Sequence, residues 1–570
     1  MLENQHCQGL LAPVPDALPP ELLTTIFALA CTHPNQDEES TPQTPNHPPT
    51  PMTLSHVCSS WRGVALETPS LWTLIQLSNL SQLPFVTYML ERSQDRPVSV
   101  VFYAHFTREQ ITPKERVFRT ILSNNQRLES LELMLPHYLL QHVVSQACGV
   151  LEELKTLKII NGPAHTFACY PASTLPNNTI SALGGPKLER IEVVNYRLPW
   201  TSKLLRRPRL THLKLGAIPC LEGQPSPTLF DFLRESPQLV SLDLQYPFLS
   251  NTGVSRSRIP LPNIKVLKLD FPSYLTGLLS LLKSLLLPPP EKMSEVSFAT
   301  TLGGETNPGK AESLFSAWRE IHQEPTMLYP KAFTINSWDD SYHGSTGTVH
   351  FYIEVWTKSY PDPLWPVRGK YQEFGASRPR SELSFHLIRA ALPFTFPLYQ
   401  GPWSFDNLRV IEVYGWVSLS FWTLLGGLPL LEAVYLLAAE VEHFIHVVRG
   451  TFPKPTDISV SPFLTITKPF SALRSLAIRE LSASGALHTI GSLIDAFSDR
   501  LPTGRSEESF LETLCMRPTV PQDPPTLHCE MYSGGRFARK VLWERTPGVV
   551  TPLNSLDEGS RRANEPFSAV

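Results

Sequence analysis

The sequence predicts an α/β protein in which a small helical module at the N-terminus is followed by an irregular solenoid of strand-and-helix repeats. Two stretches within residues 16–77 carry apolar residues at helical spacing. Ten short motifs with apolar residues at alternating positions recur through residues 78–545, and helix-like segments lie between several of them. At 570 residues, with 42% hydrophobic and 18% charged residues, the chain is long and apolar enough to fold into more than one domain or one long repeat array.

The helical module is predicted from two clusters of apolar residues. Their members recur every three or four residues, which gives each helix one apolar side. They are Leu22, Leu23, Ile26 and Phe27 in the first helix and Leu54, Val57, Cys58, Trp61, Val64 and Ala65 in the second. Pro19 and Pro20 suit the first turn of a helix, where a missing N–H costs nothing. On these grounds alone the module is a helical cap that shields the first repeat.

Three segments are predicted to be disordered. Residues 33–51 consist almost entirely of Pro, Thr, Asn, Gln and acidic residues, so they bury too little apolar surface to offset their ordering entropy. We therefore expect a disordered insertion between the two helices of the module. Residues 1–15 and 546–570 are predicted to be a disordered N-terminus and a disordered tail.

The repeats share the pattern L-x-x-[LIV]-x-[LIVM], which is typical of a strand entered from a turn. The motifs begin at Leu128, Leu154, Leu188, Leu210, Leu239, Ile264, Leu408, Leu431, Leu473 and Leu511. The first six are 22 to 34 residues apart, and residues 228–236 and 276–287 have helical patterns. This spacing resembles that of leucine-rich repeats, although Asn161 and Asn195 stand one place early for the asparagine of that family. We therefore expect an irregular, weakly curved solenoid, with another kind of α/β alternation as the alternative.

Charged residues alternate in sign along the first six repeats. The residue between the second and third apolar positions reads Glu132, Lys158, Glu192, Lys214, Asp243 and Lys268. Because neighbouring parallel strands lie ~4.8 Å apart, we expect these opposite charges to face one another on the surface of the sheet. The pattern favours a ladder that fixes strand pairing over a substrate-binding role, and it argues against a uniformly basic or acidic surface. The next exposed positions are the apolar Met134, Ile160 and Val194, which are predicted either to bind a partner or to pack under the helical module.

Residues 300–405 interrupt the repeats with an aromatic-rich insertion. The pattern Pro330/Phe333/Ile335 and the alternating segment 348–356 are predicted strands. The aromatic side chains could recognise a partner, but the pattern favours an irregular core.

No motif in the chain predicts catalysis, a cofactor or a metal. The eight cysteines occur singly, which excludes CxxC zinc spacing and indicates a reducing, intracellular location, cytoplasmic or nuclear. His443 and His446 are predicted to be surface residues, because no third ligand accompanies them. A net charge of −3 does not indicate nucleic-acid binding. The apolar segment 416–439 contains Gly426, Gly427 and Pro429 and is predicted to be a buried helix followed by a strand, rather than a membrane span.

The N-terminal module resembles the F-box. Its residues match that family in three consecutive stretches: Leu18, Pro19, Glu21, Leu22, Ile26 and Phe27, then Val57, Cys58, Trp61 and Arg62, then Pro69, Leu71 and Trp72. Residues 91–104 are also similar to the segment that follows the F-box in many fungal F-box proteins with leucine-rich repeats. The insertion after Ala30 departs from the family pattern and affects the geometry between the helices.

This resemblance implies a non-enzymatic role as the substrate receptor of an SCF-type cullin-RING ubiquitin ligase. The module would bind the Skp adaptor, and through it the cullin, with the residues Leu18, Pro19, Glu21, Leu22, Ile26, Val57, Trp61, Leu71 and Trp72. The repeats would hold a protein substrate while other subunits transfer ubiquitin. The alternative is a repeat scaffold in which the F-box-like helices only cap the solenoid. We expect neither nucleic acid nor membrane as a partner.

Overall fold

The computed structural model of the chain is mixed α/β, with a large sheet that is mostly parallel. It contains two compact units, one formed by residues 1–253 and 259–264 and the other by 254–258 and 265–570. The structure describes residues 18–32, 50–77, 83–103, 111–135, 137, 140–141, 151–161, 173–175, 183–198, 202–216, 227–245, 258–271, 275–289, 292–301, 309–321, 332–339, 349–356, 383–389, 404–414, 419–437, 440–450, 469–481, 483–498, 511–518, 538–546 and 549–552.

The first unit begins with the helical module. It comprises α1 (Pro20–Thr32), α2 (Thr50–Ser55), α3 (Ser59–Glu67) and a 3-10 turn at Pro69–Trp72. Helix α1 packs against α2, α3 and the 3-10 turn. Helix α2 begins at Thr50, inside the range 33–51 assigned to the disordered insertion, which corrects the end of that range. The reason is that Pro51 stands in the first turn of α2, where proline is tolerated and its fixed φ favours the helix.

In the described part of the first unit, seven parallel strands of the sheet pair in the order of the sequence. They are β1 (Leu74–Leu77), β2 (Val98–Tyr103), β3 (Leu128–Met134), β4 (Thr156–Ile160), β6 (Arg190–Val194), β8 (His212–Gly216) and β9 (Ser241–Gln245). Short strands β5 (Ser173–Thr174) and β7 (Tyr196–Arg197) form a parallel pair, and β10 is Ile259–Pro260. The helices are α4 (Leu83–Arg92), α5 (Ile111–Ser123) and α6 (Pro227–Glu235).

Among its described residues, the second unit has eleven strands in one sheet and five helices. The strands pair side by side as β11 (Val266–Phe271), β13 (Glu295–Thr301), β16 (Leu383–Arg389), β15 (Val349–Trp356), β14 (Ala332–Asp339), β17 (Val410–Tyr414), β18 (Ala433–Leu437), β19 (Ser475–Leu481), β20 (Leu511–Pro518), β21 (Ala538–Thr546) and β22 (Val549–Pro552). Short strand β12 is Leu285–Leu286. The helices are α7 (Leu275–Ser284), α8 (Gly309–Glu320), α9 (Leu419–Gly426), α10 (Val441–Arg449) and α11 (Ala483–Ser498).

All ten predicted repeat motifs contain a strand, namely β3, β4, β6, β8, β9, β11, β17, β18, β19 and β20. Where the side chains are described, the second and third apolar residues of the motif are buried, as Leu131 and Leu133 are at 2% and 0% exposure. In most repeats the first residue lies in the turn before the strand and is also buried, as Leu188 is. The helical segments predicted at 228–236 and 276–287 correspond to α6 and α7.

The insertion at 300–405 contributes strands to the sheet of the second unit. The two strands predicted there correspond to β14 and β15. Strand β15 runs antiparallel to both β14 and β16, while β14 is parallel to β17 and β16 is parallel to β13. The insertion therefore breaks the succession of parallel strands at β15 without ending the sheet.

Two further predictions concern the apolar segment and the tail. Segment 416–439 contains helix α9 followed by strand β18, as predicted. Within the described ranges, no helix has the length and hydropathy needed to cross a membrane. Strand β22 lies inside the range 546–570 assigned to a disordered tail, because Pro547 and Gly548 form a turn sequence and β-branched Val549 and Val550 favour pairing with β21.

Candidate functional site

The helical module has a small apolar core. Leu23 and Phe27 of α1 are buried at 1% and 0% exposure, and the rings of Phe27 and Trp61 lie 4.9 Å apart. Trp72 is fully buried, and its indole N–H donates a hydrogen bond of 2.7 Å to the carbonyl oxygen of Ala65. These contacts join α1, α3 and the 3-10 turn.

The connection between α2 and α3 is held by two side chains. The Cys58 Sγ caps α3 by accepting a hydrogen bond of 3.4 Å from the Trp61 backbone N–H. The Arg62 Nε donates a bond of 2.9 Å to the Ser55 carbonyl at the end of α2. The connection is therefore fixed, and Val57 within it is 55% exposed.

Apolar side chains are unusually exposed on one side of α1. Six large apolar side chains of the described residues are exposed, and four of them are Leu18, Leu22, Ile26 and Leu29, at 40%, 51%, 46% and 56%. Their spacing of four, four and three residues puts them on one side of the helix and its first turn. We call these four residues the N-terminal stripe. Val57 is a fifth exposed apolar residue of the same module.

Thr25 extends the N-terminal stripe and was not identified from the sequence, nor was Leu29. Thr25 is exposed and lies three residues after Leu22 and four before Leu29. Its hydroxyl donates a hydrogen bond of 3.0 Å to the carbonyl oxygen of Glu21. Because the hydroxyl is satisfied within the helix, the side chain adds its methyl group to the apolar surface.

The residues predicted to bind the adaptor fall into three groups. Leu18, Pro19, Glu21, Leu22, Ile26 and Val57 are exposed. Trp61 is half-buried, and its indole N–H is buried with no hydrogen-bond acceptor among the described residues. Leu71 and Trp72 belong to the core of the module at 3% and 0% exposure, so they support the surface and are not part of it.

The charge ladder of the first unit has the predicted register. Glu132, Lys158, Glu192, Lys214 and Asp243 are successive partners on neighbouring strands β3 to β9. Lys158 Nζ lies 3.0 Å from a Glu132 carboxylate oxygen and 3.8 Å from one of Glu192, and Lys214 Nζ lies 3.0 Å from Glu192. In the second unit, Lys268 pairs with Glu295 at 2.7 Å. The lysines predicted to bind substrate are thus paired with carboxylates of this chain.

A second line of side chains lies beside the ladder, two residues earlier on each strand. We call it the polar row. Its members are successive register partners on β2, β3, β4, β6, β8 and β9: Ser99, Ser130, Thr156, Arg190, His212 and Ser241. Arg190 is exposed and the other five are half-buried. The row contains no carboxylate, and reading each strand two positions before the ladder would have revealed it.

The apolar residues on the other side of the ladder are covered. Met134, Ile160 and Val194 are register partners, pack together and are only 6–7% exposed. They therefore do not offer the open partner site that the sequence allowed as one alternative.

Asn161 and Asn195 link the chain beyond the ends of β4 and β6. The Asn161 side-chain amide donates to the Asn195 carbonyl at 3.3 Å, and the Asn195 amide donates to the Asn161 carbonyl at 3.2 Å. Asn195 has φ of 60°, a left-handed conformation that asparagine tolerates. The two asparagines thus stabilise the register of neighbouring repeats although they stand one place early in the motif.

The histidine pair on α10 has a structural environment. His443 Nδ1 lies 3.4 Å from Glu440 Oε2, a buried carboxylate oxygen that also accepts a bond of 3.0 Å from the Trp422 indole N–H. No cluster of three or more His, Cys, Asp or Glu side chains suited to a metal ion occurs in the part of the chain that the structure describes.

No protein-family model matches this chain, and no curated protein matches its sequence.

Proposed function

We propose that this chain is the substrate-recognition subunit of an SCF-type cullin-RING ubiquitin ligase. Its helical module would bind the Skp adaptor, and the sheet that follows would hold a protein substrate. The observation that carries the proposal is the N-terminal stripe, three exposed aliphatic side chains on one side of a short helix with exposed Leu18 just before it. The F-box-like residues of the sequence supply the identity of the partner.

The N-terminal stripe leaves aliphatic side chains exposed to solvent. Contiguous exposed aliphatic side chains are uncommon on a soluble surface and mark a protein-binding site. Burying each half-exposed leucine or isoleucine against a partner would gain on the order of 1 kcal/mol. The opposite side of α1 is already used, because Leu23 and Phe27 form the core with Trp61. Helix α1 therefore has two apolar sides. One packs inside the module, and the other is exposed for a partner to bind.

The alternative, a scaffold whose helices only cap the repeats, makes different use of α1. A cap would turn its apolar surface toward the repeats. Here α1 packs against α2, α3 and the 3-10 turn, and the stripe is exposed. This arrangement favours adaptor docking.

The proposal is tested by a binding measurement between the full chain and a purified Skp adaptor. The variant Leu22→Ser/Ile26→Ser removes two members of the stripe, and because both side chains are exposed the module should still fold. We expect the affinity to fall at least about tenfold, since each lost aliphatic contact costs on the order of 1 kcal/mol.

The matched control is Leu430→Ser, which removes an apolar side chain of 40% exposure in the second unit. It should bind the adaptor like the wild type. A folded wild-type chain that fails to bind, or a stripe variant that binds unchanged, would leave the scaffold as the function. Trp61→Ala is a poorer test, because it removes the ring contact with Phe27 and weakens the module itself.

A further inference from the structure

The polar row of the first unit presents hydrogen-bond donors on six neighbouring strands. The three hydroxyls of Ser99, Ser130 and Thr156 are followed in register by Arg190, His212 and the hydroxyl of Ser241. Because parallel strands are ~4.8 Å apart, neighbouring members of the row can bind one ligand group together. A row of hydrogen-bond donors without a carboxylate is suited to a ligand whose groups only accept hydrogen bonds.

Arg190 is the cation at the centre of this row. Its side chain is exposed and makes no hydrogen bond or ion pair with any described residue. The nearest carboxylate on the same side of its strand is Glu192, which already pairs with Lys158 and Lys214 at 3.8 and 3.0 Å. Glu192 is therefore engaged by the two lysines, and the exposed guanidinium of Arg190 has no ion-pair partner among the described residues.

His212 lies beside Arg190 in register and is half-buried. The Thr211 hydroxyl lies 3.2 Å from the Glu189 carbonyl oxygen, to which it donates, and its oxygen lies 2.8 Å from His212 Nδ1. These contacts orient the imidazole ring. Burial and the positive charge of Arg190 lower the pKa of His212, while Glu189 opposes them.

We propose that Arg190, with Thr156 and His212, forms a binding site for an oxyanion, a carboxylate or phosphate group carried by a protein ligand. The guanidinium offers a planar fork of donors that matches either group. An anion bound to this fork lies within one strand spacing of Thr156 and His212. The site rests on the proposed function only in taking the protein ligand to be the substrate, and its anion binding is independent of the adaptor.

Anion binding at this site is coupled to proton uptake by His212. A bound negative charge favours the charged imidazole and raises the pKa of His212. The other charged groups that face or adjoin the ring are Arg190, Glu192 and Glu189 from the β6 region, Lys214 on the same strand and Asp243 on β9.

The test is a titration of the full chain with inorganic phosphate, and separately with acetate, at constant ionic strength. The C–H signal of the His212 ring is followed by NMR in histidine-labelled protein. We expect a saturable shift and a rise in the pKa of His212. In Arg190→Gln the dissociation constant should rise roughly tenfold or more, as expected for loss of a charge-assisted hydrogen bond. Arg190→Lys should bind with intermediate strength, because it keeps the charge and loses the fork.

The matched control is Arg209→Gln, which removes the same charge from an exposed arginine outside the row. It should bind phosphate like the wild type. Absence of saturable binding to the folded chain, equal binding by Arg190→Gln, or equal weakening in Arg209→Gln would each overturn the proposal. The response to phosphate compared with that to acetate identifies which oxyanion the site prefers. Adaptor binding of Arg190→Gln, measured in parallel, should be unchanged, so this proposal and the adaptor proposal can fail separately.

Discussion

At the scale of single residues, a few positions tolerate no other side chain because of what surrounds their backbone. Gly185 lies in the turn before β6, and a Cβ atom there would overlap the carbonyl oxygen of Leu151. The Leu151 carbonyl cannot move aside without disturbing strand β4, which follows it. Gly185 therefore sets how closely two successive turns of the first unit approach.

Replacing Gly185 by alanine should destabilise the first unit by roughly 1–3 kcal/mol through overpacking. The measurement is the urea midpoint of unfolding. The control is Gly63→Ala in α3, where a Cβ atom would meet nothing within 4 Å. That change should stabilise the helix by roughly 0.5–1 kcal/mol, because alanine favours helix over glycine. Equal effects of the two variants would contradict this account.

At the scale of elements, Arg127 joins the end of α4 to the start of β3. Its guanidinium donates to the carbonyl oxygens of Leu90 and Arg96 and to the Ser93 hydroxyl, at 3.3, 3.1 and 2.6 Å. Carbonyls at the C-terminus of a helix lack partners within it and carry partial negative charge, so a cation stabilises them. One side chain just before β3 thus caps the C-terminal end of α4.

The variant Arg127→Met keeps the apolar stem of the side chain and removes the donors. We expect a loss of about 1–3 kcal/mol, since the carbonyl oxygens of Leu90 and Arg96 and the Ser93 hydroxyl lose a charged donor. The variant Arg116→Met, at an exposed position of α5, should change stability by less than about 0.5 kcal/mol. Thermal or urea unfolding measures both, and a small effect at Arg127 would show that solvent replaces the guanidinium.

Strands could be predicted where apolar or charged residues alternate along the sequence. Strand direction and the roles of single side chains could not, because they depend on neighbouring parts of the structure. The leucine motifs identified strands, and the alternating charges from Glu132 to Asp243 gave their register, because facing charges require it. Alternation does not state direction, so the antiparallel course of β15 was not predicted. The positions of Asn161 and Asn195 were compared with the asparagine position of leucine-rich repeats. Their role depends instead on the hydrogen bonds that they make with each other.

The candidate site was predicted only in part for a similar reason. Helix α1 is apolar on two sides, and periodicity cannot tell which side is buried. The structure buries Leu23 and Phe27 and exposes Leu22 and Ile26. The polar row was missed because serine and threonine have no periodic signal that distinguishes a ligand site from an ordinary half-exposed strand.

At the scale of the whole molecule, stability should depend on pH through its half-buried histidines. Burial lowers the pKa of His137 and His212. Between these folded-state values and about 6.5, the unfolded chain binds more protons than the folded one. The stabilising contribution is therefore complete above about pH 6.5 and is lost as the pH falls through the folded values.

Urea unfolding of the wild-type chain at about pH 7.5 and about pH 5 should show lower stability at the acidic pH. The double variant His137→Gln/His212→Gln should lose less stability over the same interval, because it no longer has these two groups to protonate. Identical pH dependence of the variant and the wild type would contradict the assignment.

Because the charges alternate from strand to strand, the first unit keeps this alternation only if it loses or gains an even number of repeats. Removing the single repeat that carries β6 would bring Lys158 of β4 beside Lys214 of β8, two like charges on adjacent strands. Removing two consecutive repeats, β4 and β6 together, would instead leave Glu132 beside Lys214 and preserve the alternation. Gain or loss of repeats in pairs would therefore preserve strand pairing, whereas a single duplication or deletion would require a compensating charge reversal in the same step.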